Sequence, residues 1–220
     1  MDLWKRDAPH AYVYPERDAK FQPALKSLNY FQLSNDTDPE SFLNRYKNAL
    51  VFNDRLTLDI LQTLEEEHIL DNTIVIMTGD HGQEANETRT NSWGHNSNFS
   101  KYQTRVPMVI HWPGKRPETF THLTSHVDLV PTIPNQIFAC KNPVTDYSNG
   151  QVLFEKTSRN FGLAKNWNNS AIVTNRITRV FSKFGVPETF DSETYRLLDY
   201  DADIQKIEMK SLSMISRFYR

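Results

Sequence analysis

Residues able to bind a metal ion lie close together between Thr73 and Asn96. The run TIVIMT is β-branched and apolar, which is typical of a buried strand. Asp80 and His81 follow this strand almost at once, and His95 comes after a polar loop. A carboxylate oxygen and a neutral imidazole nitrogen suit a divalent ion such as Zn²⁺ or Mn²⁺. Because His95 can fold back over the end of the strand, this stretch favours a metal site there.

The same residues also fit an ordinary turn. In that interpretation Asp80 caps the turn and His81 is solvated, since short motifs often occur without function. The position of these residues at a strand end favours a site, because ligands of open α/β sheets bind outside the carboxyl ends of the strands. The two interpretations stay open on the residues alone.

The elements around this stretch predict an α/β fold. A helix is expected from Asp38, which can cap it, with Pro39 at its first position and apolar residues at steps of three and four to Leu64. A second buried strand is expected at Val106–Trp112, where His111 is predicted to be a core histidine. A helix that feeds a central strand is typical of a doubly wound sheet.

The C-terminal part of the chain has a different pattern. Residues 141–170 are rich in turn-forming residues, and two paired strands are predicted at 171–175 and 178–184. A short strand near 195–199 and a closing helix from 201 complete a small α+β subdomain. We therefore divide the chain into an α/β domain, residues 1–140, and a subdomain, residues 141–220.

Composition restricts the functional classes. The chain has 220 residues and a net charge of −2, which gives no sign of a nucleic-acid surface. Its one cysteine, Cys140, excludes an internal disulfide. No stretch reaches the roughly 18–20 apolar residues that cross a bilayer, and the charged first residues do not match a signal peptide. Composition by itself predicts a soluble cytosolic domain.

Three segments together resemble the sulfatase branch of the alkaline phosphatase superfamily. They are TGDHGQE, WGHNSNFSKYQTRVPMVIHWPG and SHVDLVPTI. The second segment is most similar to the YejM (PbgA) group, sulfatase-like inner-membrane proteins of Gram-negative bacteria. The resemblance implies an alkaline-phosphatase/sulfatase-like doubly wound sheet with a small C-terminal antiparallel sheet, of which this chain would be the C-terminal part.

The resemblance also implies roles for four residues. Asp80 and His81 would be ligands of a divalent metal, which could be Zn, Mn, Mg or Ca. His95 would be a catalytic residue, either as a further metal ligand or as a donor to the anionic oxygens of the substrate. His10 would contact the substrate, whereas its residue context by itself favours a surface histidine in an extended arm. Glu84 and Asn96 are candidate acceptors for the imidazole nitrogens that do not face the metal.

Two elements of the implied active site have no match in the sequence. The family's nucleophile and an acidic metal ligand lie upstream, and the Cys/Ser-x-Pro-x-Arg motif of formylglycine sulfatases does not occur. We therefore expect a fragment of a hydrolase of sulfate or phosphate esters that is inactive alone. The alternative is a non-catalytic lipid-binding or regulatory module of the bacterial envelope. A third hypothesis is an unrelated α/β protein in which TGDHG is only a turn.

The resemblance further predicts partners and location. The expected ligand is an anionic ester or a lipid head group, and no nucleic acid. The full-length family would be anchored in the inner membrane through an N-terminal region, with this domain at the periplasmic face.

Overall fold

The computed structural model describes residues 8–155, 159–200 and 202–216. The described chain forms two compact units. The first comprises residues up to Ser97 together with Arg105–Pro117, and the second comprises Asn98–Thr104 and the residues from Glu118 onward. This division by contacts lies near residue 117, whereas the sequence placed a domain boundary at 140. The boundary at residue 140, between the α/β domain and the C-terminal subdomain, stays a prediction.

The first unit combines one long helix with two pairs of short strands. Its helices are α1 (Ala8–Ala11) and α2 (Glu40–Glu66), and its strands are β1 (Val75–Thr78), β2 (Glu84–Ala85), β3 (Trp93–Gly94) and β4 (Met108–His111). Single 3-10 turns lie at Glu16–Asp18, Tyr30–Gln32 and Leu70–Asn72.

Helix α2 begins at Glu40, one residue after the predicted first position, Pro39. The Asp38 carboxylate accepts a hydrogen bond from the backbone N–H of Glu40 at 3.1 Å, so it caps an otherwise unpaired donor. The helix buries Phe42 and Ala49 against the rest of the unit. It also buries Asn48, whose side chain accepts from the N–H of Phe21 at 2.8 Å and donates to its carbonyl at 3.0 Å. These bonds fasten the N-terminal segment to the helix.

The structure confirms the two predicted apolar strands as β1 and β4. They pair antiparallel, with Val75 opposite His111 and Thr78 opposite Met108. A doubly wound sheet is mostly parallel, and one antiparallel neighbour is common in such folds. His111 is half-buried, and its Nε2 lies 3.2 Å from the Leu70 carbonyl, as expected of a core histidine with a partner.

An aromatic cluster forms the core of the first unit beside the strand ends. Tyr12, Phe42, Ala85 and Trp93 are buried together. The ring centroids of Tyr12 and Phe42 lie 5.3 Å apart, and those of Phe42 and Trp93 lie 5.2 Å apart. The cluster thereby joins the segment after α1, helix α2 and the β2–β3 ribbon.

The second unit is built on an antiparallel sheet. Its strands, in the order β5-β6-β7-β8-β9, are β5 (Gly162–Lys165), β6 (Asn169–Val173), β7 (Ile177–Ser182), β8 (Glu188–Asp191) and β9 (Leu197–Leu198). Its helices are α3 (Lys101–Thr104), α4 (Leu129–Phe138) and α5 (Ala202–Ser216). Further 3-10 turns lie at His126–Asp128 and Val144–Asp146. The predicted C-terminal antiparallel sheet and closing helix are confirmed.

None of the helices within the described ranges is long and apolar enough to cross a membrane.

A buried ion pair fixes the entry to α4. The Asp128 carboxylate accepts from the backbone N–H groups of Ser125, at 2.7 Å, and Gln151, at 2.8 Å, and it also contacts the guanidinium of Arg159. The side chains of Asp128 and Arg159 are 3% and 9% exposed. Removing one member of such a pair leaves a buried charge without its counterion.

We predict that Asp128→Ala lowers the free energy of unfolding by about 3–5 kcal/mol, because Arg159 would stay buried and uncompensated. Urea unfolding followed by circular dichroism measures this change. The control is Lys206→Ala, which breaks an exposed pair with Asp203 and should cost less than about 1 kcal/mol. Equal losses in the two variants would contradict the buried pair.

Candidate active site

The end of strand β1 brings Asp80, His81 and His95 together. Asp80 and His81 follow the strand, and the short β2–β3 ribbon, which pairs Glu84 with Gly94, returns the chain so that His95 lies beside His81. The imidazole centroids of His81 and His95 are 4.1 Å apart, and the rings are stacked at 21°.

A third imidazole comes from far away in the sequence. His10, on α1, is exposed, and its ring centroid lies 4.9 Å from that of His95 and 6.5 Å from that of His81. The aromatic cluster explains this approach, because Tyr12 anchors the segment two residues after His10. Sequence spacing alone could not have shown that His10 meets the other two.

Oxygen acceptors orient the two stacked rings. The Nδ1 of His81 lies 3.0 Å from the Gly82 carbonyl, and the Nδ1 of His95 lies 3.2 Å from Oε1 of Gln83. Since these oxygens only accept, each Nδ1 carries the proton and each Nε2 keeps a lone pair in the neutral ring. Metal-binding histidines are commonly held in this way.

Asp80 is an exposed member of the group. Its side chain is 79% exposed, and Oδ1 accepts from the backbone N–H of His81 at 3.1 Å. The same oxygen lies 3.8 Å from Nε2 of His81. An accessible carboxylate beside an imidazole lone pair can bind a cation from solvent.

The environment lowers the pKa of His95 below its usual value of 6.5. Burial is the main cause, followed by the positive charges that His81 and His10 carry when protonated, while the Asp80 carboxylate acts in the opposite direction. His95 is therefore neutral near pH 7, which keeps the lone pair on Nε2.

The donor atoms suit a divalent ion, but they do not make a complete site. Carboxylate and imidazole are ligands for Zn²⁺ and Mn²⁺. Across residues 8–155, 159–200 and 202–216, no three His, Cys, Asp or Glu side chains are arranged to hold a metal ion. Because such an ion takes four or more ligands, these residues can supply only part of a coordination sphere.

Sequence reasoning missed Gln83 and Tyr12 as parts of the site. The acceptor beside His95 Nδ1 is Gln83, not Glu84 or Asn96. Glu84 is fully buried, and its carboxylate accepts from the backbone N–H of Thr88 at 3.2 Å. The only signal in the sequence was the position of Gln83 two residues after His81.

Comparison with known proteins identifies the family. The sulfatase family model matches residues 7–136, more than half of the chain. The chain belongs to the sulfatase family. The third sequence hypothesis, an unrelated α/β protein, is therefore wrong.

Sequence relatives of this sulfatase-family chain include inner-membrane proteins. It is 29% identical to the inner membrane protein YejM of Salmonella typhimurium over 74% of this chain and 27% of that protein. It is 31% identical to a protein of Haemophilus influenzae over 67% of this chain and 26% of that protein. The chain thus spans about a quarter of the length of the curated relatives that it matches.

Solved structures share the fold of this sulfatase-family chain. The phosphonate monoester hydrolase SpPMH from Silicibacter pomeroyi superposes with a TM-score of 0.67 at 20% identity, over 98% of this chain and 49% of that one. Together with the other structural neighbours, this likeness confirms the expected sulfatase/alkaline-phosphatase fold class.

The electrostatics of the candidate site predict two opposite shifts in the pKa of His95. In metal-free protein, we expect Asp80→Asn to lower the pKa of His95 further and His10→Ala to raise it, since each variant removes one of the charges that act on the ring. Titration of the imidazole signals by NMR in the presence of EDTA measures both shifts. Shifts of the opposite sign would refute this arrangement.

The lowered pKa of His95 makes the free energy of unfolding depend on pH. Because the pKa of His95 is lower in the folded than in the unfolded state, the unfolded state binds more protons. The contribution of His95 to stability should be fully present above about pH 6.5 and decline as the pH falls through the folded pKa. His95→Gln should flatten this part of the stability profile.

A further prediction concerns the glycine of the Trp93-Gly94-His95 segment. Gly94 has φ +83°, and a Cβ there would lie 3.1 Å from the Tyr30 hydroxyl and 3.6 Å from Gln83 Oε1. We expect Gly94→Ala to destabilise the chain by about 1–2 kcal/mol from the left-handed backbone alone, with a further loss from crowding. Urea unfolding measures the sum.

Gly114→Ala is the matched control for this variant. Gly114 has a similar φ of +78°, but a Cβ added there would have no atom within 4 Å, so its substitution isolates the backbone strain. If the two variants lose the same stability, the close approach at Gly94 has no energetic effect.

Proposed function

We propose that this chain supplies one part of the active site of a metal-dependent hydrolase of sulfate or phosphate esters. Asp80, His81 and His95 would be metal ligands, and His10 would contact the substrate. One observation carries the proposal: imidazoles from three separate segments, with ring centroids 4.1, 4.9 and 6.5 Å apart, meet beside an exposed carboxylate at the end of β1.

The ring orientations support the ligand roles. His81 and His95 are both held through Nδ1 by oxygen acceptors, so each can offer the Nε2 lone pair. A metal bound there would hold and polarise the anionic oxygens of an ester. Among the expected ions, imidazole ligands favour Zn²⁺ or Mn²⁺ over Ca²⁺, which prefers oxygen.

His10 has a different environment from the other two histidines. It is the exposed one of these three histidines, so its ring can meet a ligand that arrives from solvent. When protonated, both of its nitrogens are donors that can bind the oxygens of an anionic ester or lipid head group. We therefore assign His10 to substrate binding.

We further propose that the chain alone has little catalytic activity. Within the described residues no three His, Cys, Asp or Glu side chains are arranged to hold a metal ion, and the sequence has no Cys/Ser-x-Pro-x-Arg nucleophile motif. The remaining ligands and the nucleophile would come from another segment or polypeptide. By analogy with YejM, the working protein would lie at the inner membrane, with this domain on the periplasmic side.

The incomplete ligand set also supports a second function. A sulfatase-like domain that binds an anionic lipid head group without hydrolysing it needs cationic contacts but no nucleophile. In this alternative, Asp80→Ala would abolish metal binding and leave the effect of the protein on the cell envelope unchanged. Loss of both would favour catalysis.

Metal analysis tests the proposed ligands. We expect the purified chain to bind Zn²⁺ or Mn²⁺ by equilibrium dialysis and elemental analysis, and Asp80→Ala/His81→Ala to abolish this binding. The control is His68→Ala/Asp71→Ala, which removes an exposed histidine and an exposed aspartate elsewhere in the first unit and should bind metal normally.

Two outcomes would contradict the proposal. The first is equal metal binding by the wild type and both double variants, which would place the metal elsewhere. The second is absence of metal binding by this chain and also by a longer protein that includes the regions of the relatives outside the match. Restored binding in the longer protein would support a site shared between segments.

A further inference from the structure

A chain of hydrogen bonds runs behind His95 into the core of the first unit. The Tyr12 hydroxyl donates to Oε1 of Gln83 at 3.0 Å, and the same oxygen lies 3.2 Å from Nδ1 of His95. Gln83 is half-buried, and Tyr12 is only 1% exposed. The buried Tyr12 hydroxyl is thus linked to His95 through the side chain of Gln83.

The geometry of these hydrogen bonds selects the tautomer of His95. A carboxamide has an acceptor end and a donor end, and which end faces His95 decides which ring nitrogen carries the proton. Because the Tyr12 hydroxyl donates to Oε1, the acceptor end of Gln83 faces the ring. Nδ1 of His95 must then donate, and Nε2 keeps its lone pair.

Tyr12 is rigid enough to set this orientation. Its ring packs against Phe42 at 5.3 Å and Tyr46 at 5.7 Å, and its hydroxyl also hydrogen-bonds with Tyr30. Burial and the neighbouring Tyr30 raise the pKa of Tyr12 above its usual range, so the hydroxyl remains protonated and able to donate.

Gly94 provides the room for this arrangement. A side chain there would meet the Tyr30 hydroxyl at 3.1 Å and Gln83 Oε1 at 3.6 Å. A glycine at this position therefore leaves room for the Tyr30 hydroxyl and the Gln83 amide to lie close together.

We propose that Gln83 is a positioning residue that holds His95 as the Nδ1–H tautomer, and that Tyr12 orients Gln83. The consequence for metal affinity rests on the function proposed above, because it requires His95 to be a ligand. The tautomer itself does not, and it can be measured without metal.

The decisive experiment is long-range ¹H–¹⁵N NMR of the metal-free 220-residue chain, which reports the protonated nitrogen of each imidazole. His95→Asn assigns the His95 signals. We expect the Nδ1–H form in the wild type and a shift toward Nε2–H in Gln83→Leu, which keeps the bulk but removes the acceptor. Gln83→Glu, which retains an acceptor, should preserve Nδ1–H.

Tyr12→Phe tests the orienting step separately. Without the hydroxyl, either end of the Gln83 amide can face the ring, so His95 should become a mixture of tautomers. Tyr46→Phe is the matched control, since it removes a hydroxyl from the same aromatic group that does not contact Gln83 and should leave the tautomer unchanged. Exposed Gln62→Leu, on α2, controls for loss of an amide elsewhere.

The outcomes separate this inference from the proposed function. An unchanged Nδ1–H tautomer in folded Gln83→Leu overturns the positioning role, whatever the metal does. If Gln83→Leu does not fold, an unchanged tautomer in Tyr12→Phe overturns the orienting role, and loss of Nδ1–H in Gln83→Glu overturns the role of the acceptor.

Metal binding forms the second arm of the test. A tautomer shift in Gln83→Leu accompanied by a roughly 10–100-fold weaker metal affinity, an effect of the size usual for such partners, supports both proposals. A tautomer shift without any metal binding, in this chain or a longer one, supports the positioning of His95 and rejects the metal site.

Discussion

The site depends on the packing of Tyr12, Phe42 and Trp93. These three buried rings come from the segment after α1, from helix α2 and from strand β3, and they meet at centroid distances of 5.2 and 5.3 Å. Aromatic pairs of this kind contribute about 0.5–1.5 kcal/mol beyond the burial of their surface. Because the rings come from separate segments, their packing brings His10 and His95 to the same strand end.

Buried polar groups make the packing specific. Asn48 pairs with both backbone groups of Phe21, and Asp18 binds Arg55 of α2 at 3.0 Å, so the segment that carries Tyr12 cannot slide along the helix without breaking these bonds. A buried polar group left without its partner costs about 1–3 kcal/mol, which penalises any other register.

The imidazoles of His10, His81 and His95 act on one another electrostatically. Three imidazoles close together repel one another when protonated, which contributes to the low pKa of His95. The neutral rings instead present lone pairs beside the exposed Asp80 carboxylate. In the function proposed above, these lone pairs and the carboxylate would bind a divalent ion.

The sequence by itself determined the family, helix α2 with its Asp38 cap, the apolar strands and the Asp80-His81 pair after the first of them, because these follow from local patterns. Tertiary structure decided what depends on distant partners. It set the antiparallel pairing of β1 with β4, the meeting of His10 with His95, and the choice of Gln83 as the acceptor beside His95. Periodicity reports which face of an element is buried, but not which residue from another segment will contact it.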